Sequence, residues 1–177
     1  WLPYGTAAAG QWYLLSSPIL GNNFADWADD FKVYGPASAY GSQGGGIISI
    51  GAQHSTILGY NEPLNSDSAN EAELNGWKAP SGNISSGSGY RVYVDKYSNP
   101  THKFDNVGAV KTGITNFPLL TRTVNGACTP STFNCDLTRT GWNLIGNPYP
   151  SGIDWDAASG WTKPGNLQAG FWRYNAA

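Results

Sequence analysis

Five aspartates fall in two short stretches, Asp26, Asp29 and Asp30 in the first and Asp154 and Asp156 in the second. Two carboxylates facing one cleft suffice for glycoside hydrolysis. Oxygen-rich loops such as Asn22-Asn23…Asp26 also suit calcium, which makes Asp26 and Asp154 the candidate cation ligands. The duplication argues for a plainer role, because both aspartates can accept backbone N–H groups and brace a turn. The Asp-x-Asp-x-Asp-Gly spacing of a calcium loop is missing, so no cofactor is expected. His54 and His102 stand far apart among polar residues and read as surface imidazoles. No Gly-x-Ser-x-Gly elbow, Gly-Lys-Ser/Thr phosphate loop or His-Glu-x-x-His helix occurs. Gly44-Gly45-Gly46 and Gly87-Ser88-Gly89 lack a following helix and read as turns. The expectation is a protein that is not an enzyme.

Cys128 and Cys135 flank the turn-rich Thr-Pro-Ser-Thr-Phe-Asn. A disulfide closing a hairpin loop is the favoured reading, and it implies an oxidising, extracellular setting. Two buried thiols in a cytosolic protein are the alternative. Aromatic residues make up 14% of the chain, with 8 Trp, 10 Tyr and 6 Phe. Trp77, Tyr97, Tyr149 and Trp161 lie in loop-like contexts, where exposed rings stack on sugar faces. A chain without Met also uses aromatics to fill its core, so carbohydrate binding competes with packing.

Only 12% of residues are charged and the formal net charge is −2. Lys and Arg are scattered singly, which excludes the dense cationic footprint of a nucleic-acid binder. No apolar run approaches the roughly 20 residues of a membrane span. The 177 residues suffice for one core, and 23 Gly with 11 Pro fall short of a disordered composition. The chain opens at Trp1 and has no Met, which reads as a processed or partial product of a larger protein.

The elements that position these residues are short strands. Trp12–Leu15, Ile47–Ile50, Ser55–Tyr60, Tyr90–Asp95, Val107–Lys111, Phe117–Val124, Trp142–Ile145 and Phe171–Tyr174 are apolar or alternating runs between turn signals. In Tyr90–Asp95 the alternation puts Tyr90, Val92 and Val94 on one face. Helix is confined to connectors. Phe24–Phe31 places Phe24, Trp27, Ala28 and Phe31 on one side, Ser68–Leu74 opens with a capping box, and Asp154–Ala158 makes one turn. The expected fold is an all-β, antiparallel, jelly-roll-like β-sandwich with short helical connectors. Residues 1–10 read as an apolar arm docking on a neighbour, and 11–177 as a single sandwich domain.

Gln11-Trp12-Tyr13-Leu14-Leu15-Ser16-Ser17-Pro18 is echoed by Gly141-Trp142-Asn143-Leu144-Ile145-Gly146-Asn147-Pro148. Each copy is followed by an Asp-Trp pair, Asp26-Trp27 and Asp154-Trp155. The shared unit predicts pseudo-repeated halves anchored by Trp12, Trp27, Trp142 and Trp155. Pro18 and Pro148 end the two ladders because proline cannot donate.

The run Gly141–Asp156, with Gly146-Asn147-Pro148-Tyr149-Pro150-Ser151 and Ile153-Asp154-Trp155-Asp156, resembles a motif of secreted surface proteins of the Bacteroidota. Trp12–Pro18 with Phe24-Ala25-Asp26, and Gly89–Val94, resemble the opening and central strands of the same β-rich region. The resemblance implies export by the type IX route and a structural, adhesive or filament-forming role. It carries no catalytic residue. Two departures are that the chain stops at a strand usually followed by others, and that a sorting domain is absent. Asp67-Ser68-Ala69 resembles the phylum's O-glycosylation site at Ser68, and Ser68 equally serves as a helix cap. Low charge and an ending in a strand suggest an edge that adds a strand from another copy, giving a filament or surface layer. The runner-up role is a carbohydrate-binding module whose partner is a polysaccharide.

Overall fold

The computed structural model describes residues 10–28, 30–31, 33–35, 47–49, 55–62, 76–80, 82–94, 104–117, 120–122, 141–163, 165, 167 and 171. The expectations for the arm, Ser68, Tyr97, both histidines and Cys128–Cys135 lie outside the described residues.

The chain is β-rich. Its main sheet has the order β1-β6-β4-β5, where β1 is Gln11–Leu15, β4 is Ile57–Tyr60, β5 is Trp77–Lys78 and β6 is Tyr90–Val94. All pairings within it are antiparallel. The alternation in β6 gives the expected face: Tyr90, Val92 and Val94 are buried. Register then fixes the partners, with Tyr13 and Ile57 opposite Val92. A second, two-stranded sheet pairs β2 (Val33–Gly35) with β3 (Ile47–Ser49) in parallel, a departure from the all-antiparallel expectation.

The inner face of the main sheet is covered by a helix. Helix α1 spans Phe24–Ala28. Its Phe24 and Trp27 are fully buried, and Phe31 and Val33 continue the apolar stripe beyond it. These residues form one core with Tyr13, Ile57, Ile84, Tyr90, Val92 and Val94. Phe24, Trp27 and Tyr90 meet edge-to-face at 5.4–5.9 Å, the geometry favoured by aromatic quadrupoles. The indole Nε1 of Trp27 donates to Asn106 Oδ1 at 3.0 Å, so its one polar group is satisfied. A capping box starts the helix. Asn23 Oδ1 accepts the Ala25 N–H at 2.8 Å, and Asp26 Oδ2 accepts the Asn23 N–H at 2.7 Å.

The late motif is pinned to the sheet's end. Ser88 and Ile145 form an antiparallel bridge, and the Gly146 N–H donates to Gly87 O at 2.9 Å. Ser16 Oγ donates to Asn147 O at 3.0 Å, so the corresponding stretches of the two echoed units touch. A Cβ on Gly146 would overlap Ser16 Cβ and Ser88 O, which explains a glycine there. Two expected strands are not formed among the described residues, and two others are described only in part. Val107–Lys111 contributes one bridge, Ile19 with Val110, and Trp142–Ile145 only that at Ile145. The described parts of Phe117–Val124 and Phe171–Tyr174 carry no strand. No helix among the described residues is long and apolar enough to cross a membrane.

Candidate functional site

The outward face of the main sheet follows from the same alternation that builds the core. Trp12 is opposite Tyr93, and Leu14 and Leu58 are both opposite Arg91. Tyr60 is opposite Trp77. All seven side chains are partly or largely exposed, Leu14 to 37%. These rings form a partly exposed aromatic patch on the face of the sheet opposite the core.

The patch is organised around one cation. The Arg91 guanidinium carbon lies 4.3 Å from the Trp12 ring centroid and 5.4 Å from that of Trp77. Trp12 meets Tyr93 at 5.2 Å, and Trp77 meets Tyr60 edge-on at 5.3 Å. Burial, then the charge of Glu62, raises the Tyr60 hydroxyl above its ordinary pKa of 10.0, so it stays a neutral donor. Glu62 is itself buried, and its Oε1 accepts the Gly141 N–H at 2.9 Å.

Of the anticipated sugar-stacking residues, Trp77 is on this face. Trp161 belongs to another cluster, against Trp155 at 4.9 Å and stacked on Phe117 at 5.8 Å, with Nε1 donating to Asp154 O at 2.7 Å. Lys163 caps that cluster, its ammonium 4.5 Å from the Trp155 ring and donating to the Trp155 carbonyl. Tyr149 donates its hydroxyl to Gly113 O at 2.7 Å. Both rings are partly exposed and lie apart from the sheet face. Arg91, Tyr93 and Tyr60 were not anticipated as site residues, and neither was Trp12 as a surface ring. The signal for Arg91 and Tyr93 was present in the alternation that identified Tyr90, Val92 and Val94.

The four tryptophans expected as anchors differ. Trp27 is fully buried and Trp155 is 9% exposed, whereas Trp12 is partly exposed on the outer face. Trp142 is 52% exposed, where anchoring calls for burial. Pro148 is fully buried, and the Pro18 carbonyl accepts the Lys111 N–H at 2.8 Å.

Three of the aspartates accept backbone N–H groups. Asp26 closes the capping box, Asp154 Oδ1 accepts the Asp156 N–H at 3.0 Å, and Asp30 Oδ2 accepts the Asp105 N–H at 2.8 Å. Among the described residues no three His, Cys, Asp or Glu side chains gather into a metal-holding group. Comparison of the chain with protein-family models, with curated proteins and with solved structures finds no match.

Proposed function

We propose that the chain is a non-enzymatic, extracellular structural and adhesive domain of a bacterial surface protein, of the Bacteroidota type that its late motif resembles. One observation carries this reading: a partly exposed aromatic face on an antiparallel sheet whose inner face is already filled. A surface of this kind is suited to holding another surface. The carboxylates add support, since Asp26, Asp30, Asp154 and Glu62 each accept a backbone N–H and thereby brace the chain.

In this reading 11–177 form one jelly-roll-like sandwich with pseudo-repeated halves, closed by a Cys128–Cys135 disulfide. The arm 1–10 docks on a neighbouring copy. Among the described residues strand β1 lies at an edge of the main sheet, and in this reading it is where a copy adds a strand. Sedimentation velocity over a wide concentration range, with negative-stain images of the same samples, tests the assembly. Concentration-dependent oligomers or filaments are expected. A strict monomer at the highest concentration contradicts self-assembly.

A second reading is favoured by the placement of Trp12, Arg91 and Trp77 side by side. It makes the domain a carbohydrate-binding module. A glycan array separates the two, with binding lost in Trp77→Ala expected for the module.

A further inference from the structure

The outward sheet face carries more information than exposed rings alone. Its strand order places Arg91 of β6 between Trp12 of β1 and Trp77 of β5, and the guanidinium reaches both indoles. A guanidinium lying against aromatic rings engages them through its π face and leaves its N–H edge available. Among the described residues no carboxylate or carbonyl accepts from that edge: the two indoles are the partners of Arg91. None of the residues in β1, β4, β5 and β6 is acidic, and Arg91 and Lys78 are the charges they carry. The sheet therefore presents a positive, planar, fork-shaped donor flanked by the flat rings of Trp12 and Trp77, against which Tyr93 and Tyr60 pack. The ligand complementary to it has a flat apolar face, hydroxyls around its rim and a carboxylate beside them.

We propose that this face binds an acidic saccharide, a pyranose chain carrying carboxylates, with sugar faces on Trp12 and Trp77 and a carboxylate held by Arg91. The proposal rests on the carbohydrate-binding reading and sharpens it by naming the site and the charge of the ligand. Each part has a separate task. The indoles supply contact area that any pyranose can use. The guanidinium supplies a forked, charge-assisted pair of hydrogen bonds that a neutral sugar lacks. The four strands carry no acid, and the buried Glu62 beside Tyr60 already accepts the Gly141 N–H, so the guanidinium is the charge that meets an incoming carboxylate.

The test uses the whole chain and two probes, a galacturonic acid trimer and its methyl ester. The ester keeps the rings and removes the charge. Titration calorimetry gives the affinities, and the indole N–H resonances of Trp12 and Trp77 report the place. The acid is expected to bind at least tenfold tighter than the ester, with an advantage that shrinks as salt rises. Arg91→Gln is expected to abolish the advantage, so that acid and ester bind alike. Trp77→Tyr, which preserves a ring and the fold, is expected to weaken both probes several-fold, and Trp77→Ala more. Circular dichroism of each variant establishes that it is folded. Equal affinity for acid and ester overturns the acidic ligand and leaves the carbohydrate reading standing. Binding that shifts neither indole resonance, or survives Trp77→Ala, overturns the site. No binding of either probe overturns the proposal, and an empty glycan array beside it discards the carbohydrate reading as well. A dimer that Trp12→Ala dissolves shows a second copy on this face and also overturns it.

Discussion

The two echoed units share a sequence and differ in what they build. In the first, Gln11–Leu15 pairs along its whole length with β6, and the following Asp26-Trp27 sits in a capped helix at the centre of the core. In the second, Ile145 alone makes a bridge, and Asp154-Trp155 lies in a turn beside Trp161, Lys163 and Phe171. Three differences between the units account for this. Where the first unit has the buried Tyr13, the second has Asn143. The Asn143 amide bonds both the N–H and C=O of Thr121, at 3.1 and 2.9 Å, so the position serves a neighbouring segment instead of an apolar face. Where Phe24 and Phe31 frame Trp27, Gly152 and Ser159 frame Trp155. Without that stripe a helix has no face to bury, and propensity alone does not hold one this short. A similar motif thus fixes neither strand pairing nor helix by itself, and both depend on the residues between.

The sharpest way to break this contrast is to remove the two tryptophans separately. Trp27→Ala is expected to lower the unfolding free energy by about 3–5 kcal/mol, the cost of emptying a core aromatic site. Trp142→Ala is expected to cost less than about 1 kcal/mol because its side chain is half exposed and outside the core cluster. Urea denaturation measures both, and equal losses erase the distinction. The contact between the units comes next. Gly146→Ala forces a methyl group against Ser16 and the Ser88 carbonyl, and is expected to cost about 1–3 kcal/mol in the same assay. A neutral outcome means the late motif is not seated on the turn at Gly87–Gly89.

The caps sharpen the comparison on a smaller scale. Asp26→Ala removes one half of a capping box and is expected to cost about 1 kcal/mol. Asp154→Ala removes one bond in an exposed turn and is expected to fall within about 0.5 kcal/mol of the parent. The smallest effect is one of pH. Folding raises the Tyr60 pKa, so its stabilising share is complete below the unfolded value of 10.0. As pH rises past that value the unfolded chain ionises first, and stability falls until the folded group ionises too. Tyr60→Phe is expected to flatten the loss above pH 10, seen as a shallower drop in melting temperature.

Local pattern carried part of this fold. The period-two run in Tyr90–Val94 and the helical stripe from Phe24 to Phe31 were readable because each needs only its own residues to define a face. The two-residue β5 and the three-residue β2 were not read as strands, since such lengths have no period to detect. Register was equally hidden. Nothing near Trp12 or Trp77 announces that both lie beside Arg91, because that meeting is made by strands far apart in sequence. The candidate site was legible in one residue, Trp77, and in the alternation that turns Arg91 outward. Its assembly belongs to the sheet.

Native-state hydrogen exchange tests most directly whether the first unit is the core and the second an attachment to it. The ladder amides of β1 and β6 are expected to exchange only through global unfolding. The amides of 142–145 are expected to exchange through smaller local openings, orders of magnitude faster, with Gly146 slower than they are because its N–H is held by Gly87. Equal, globally limited protection across Gln11–Leu15 and 142–145 would contradict that division.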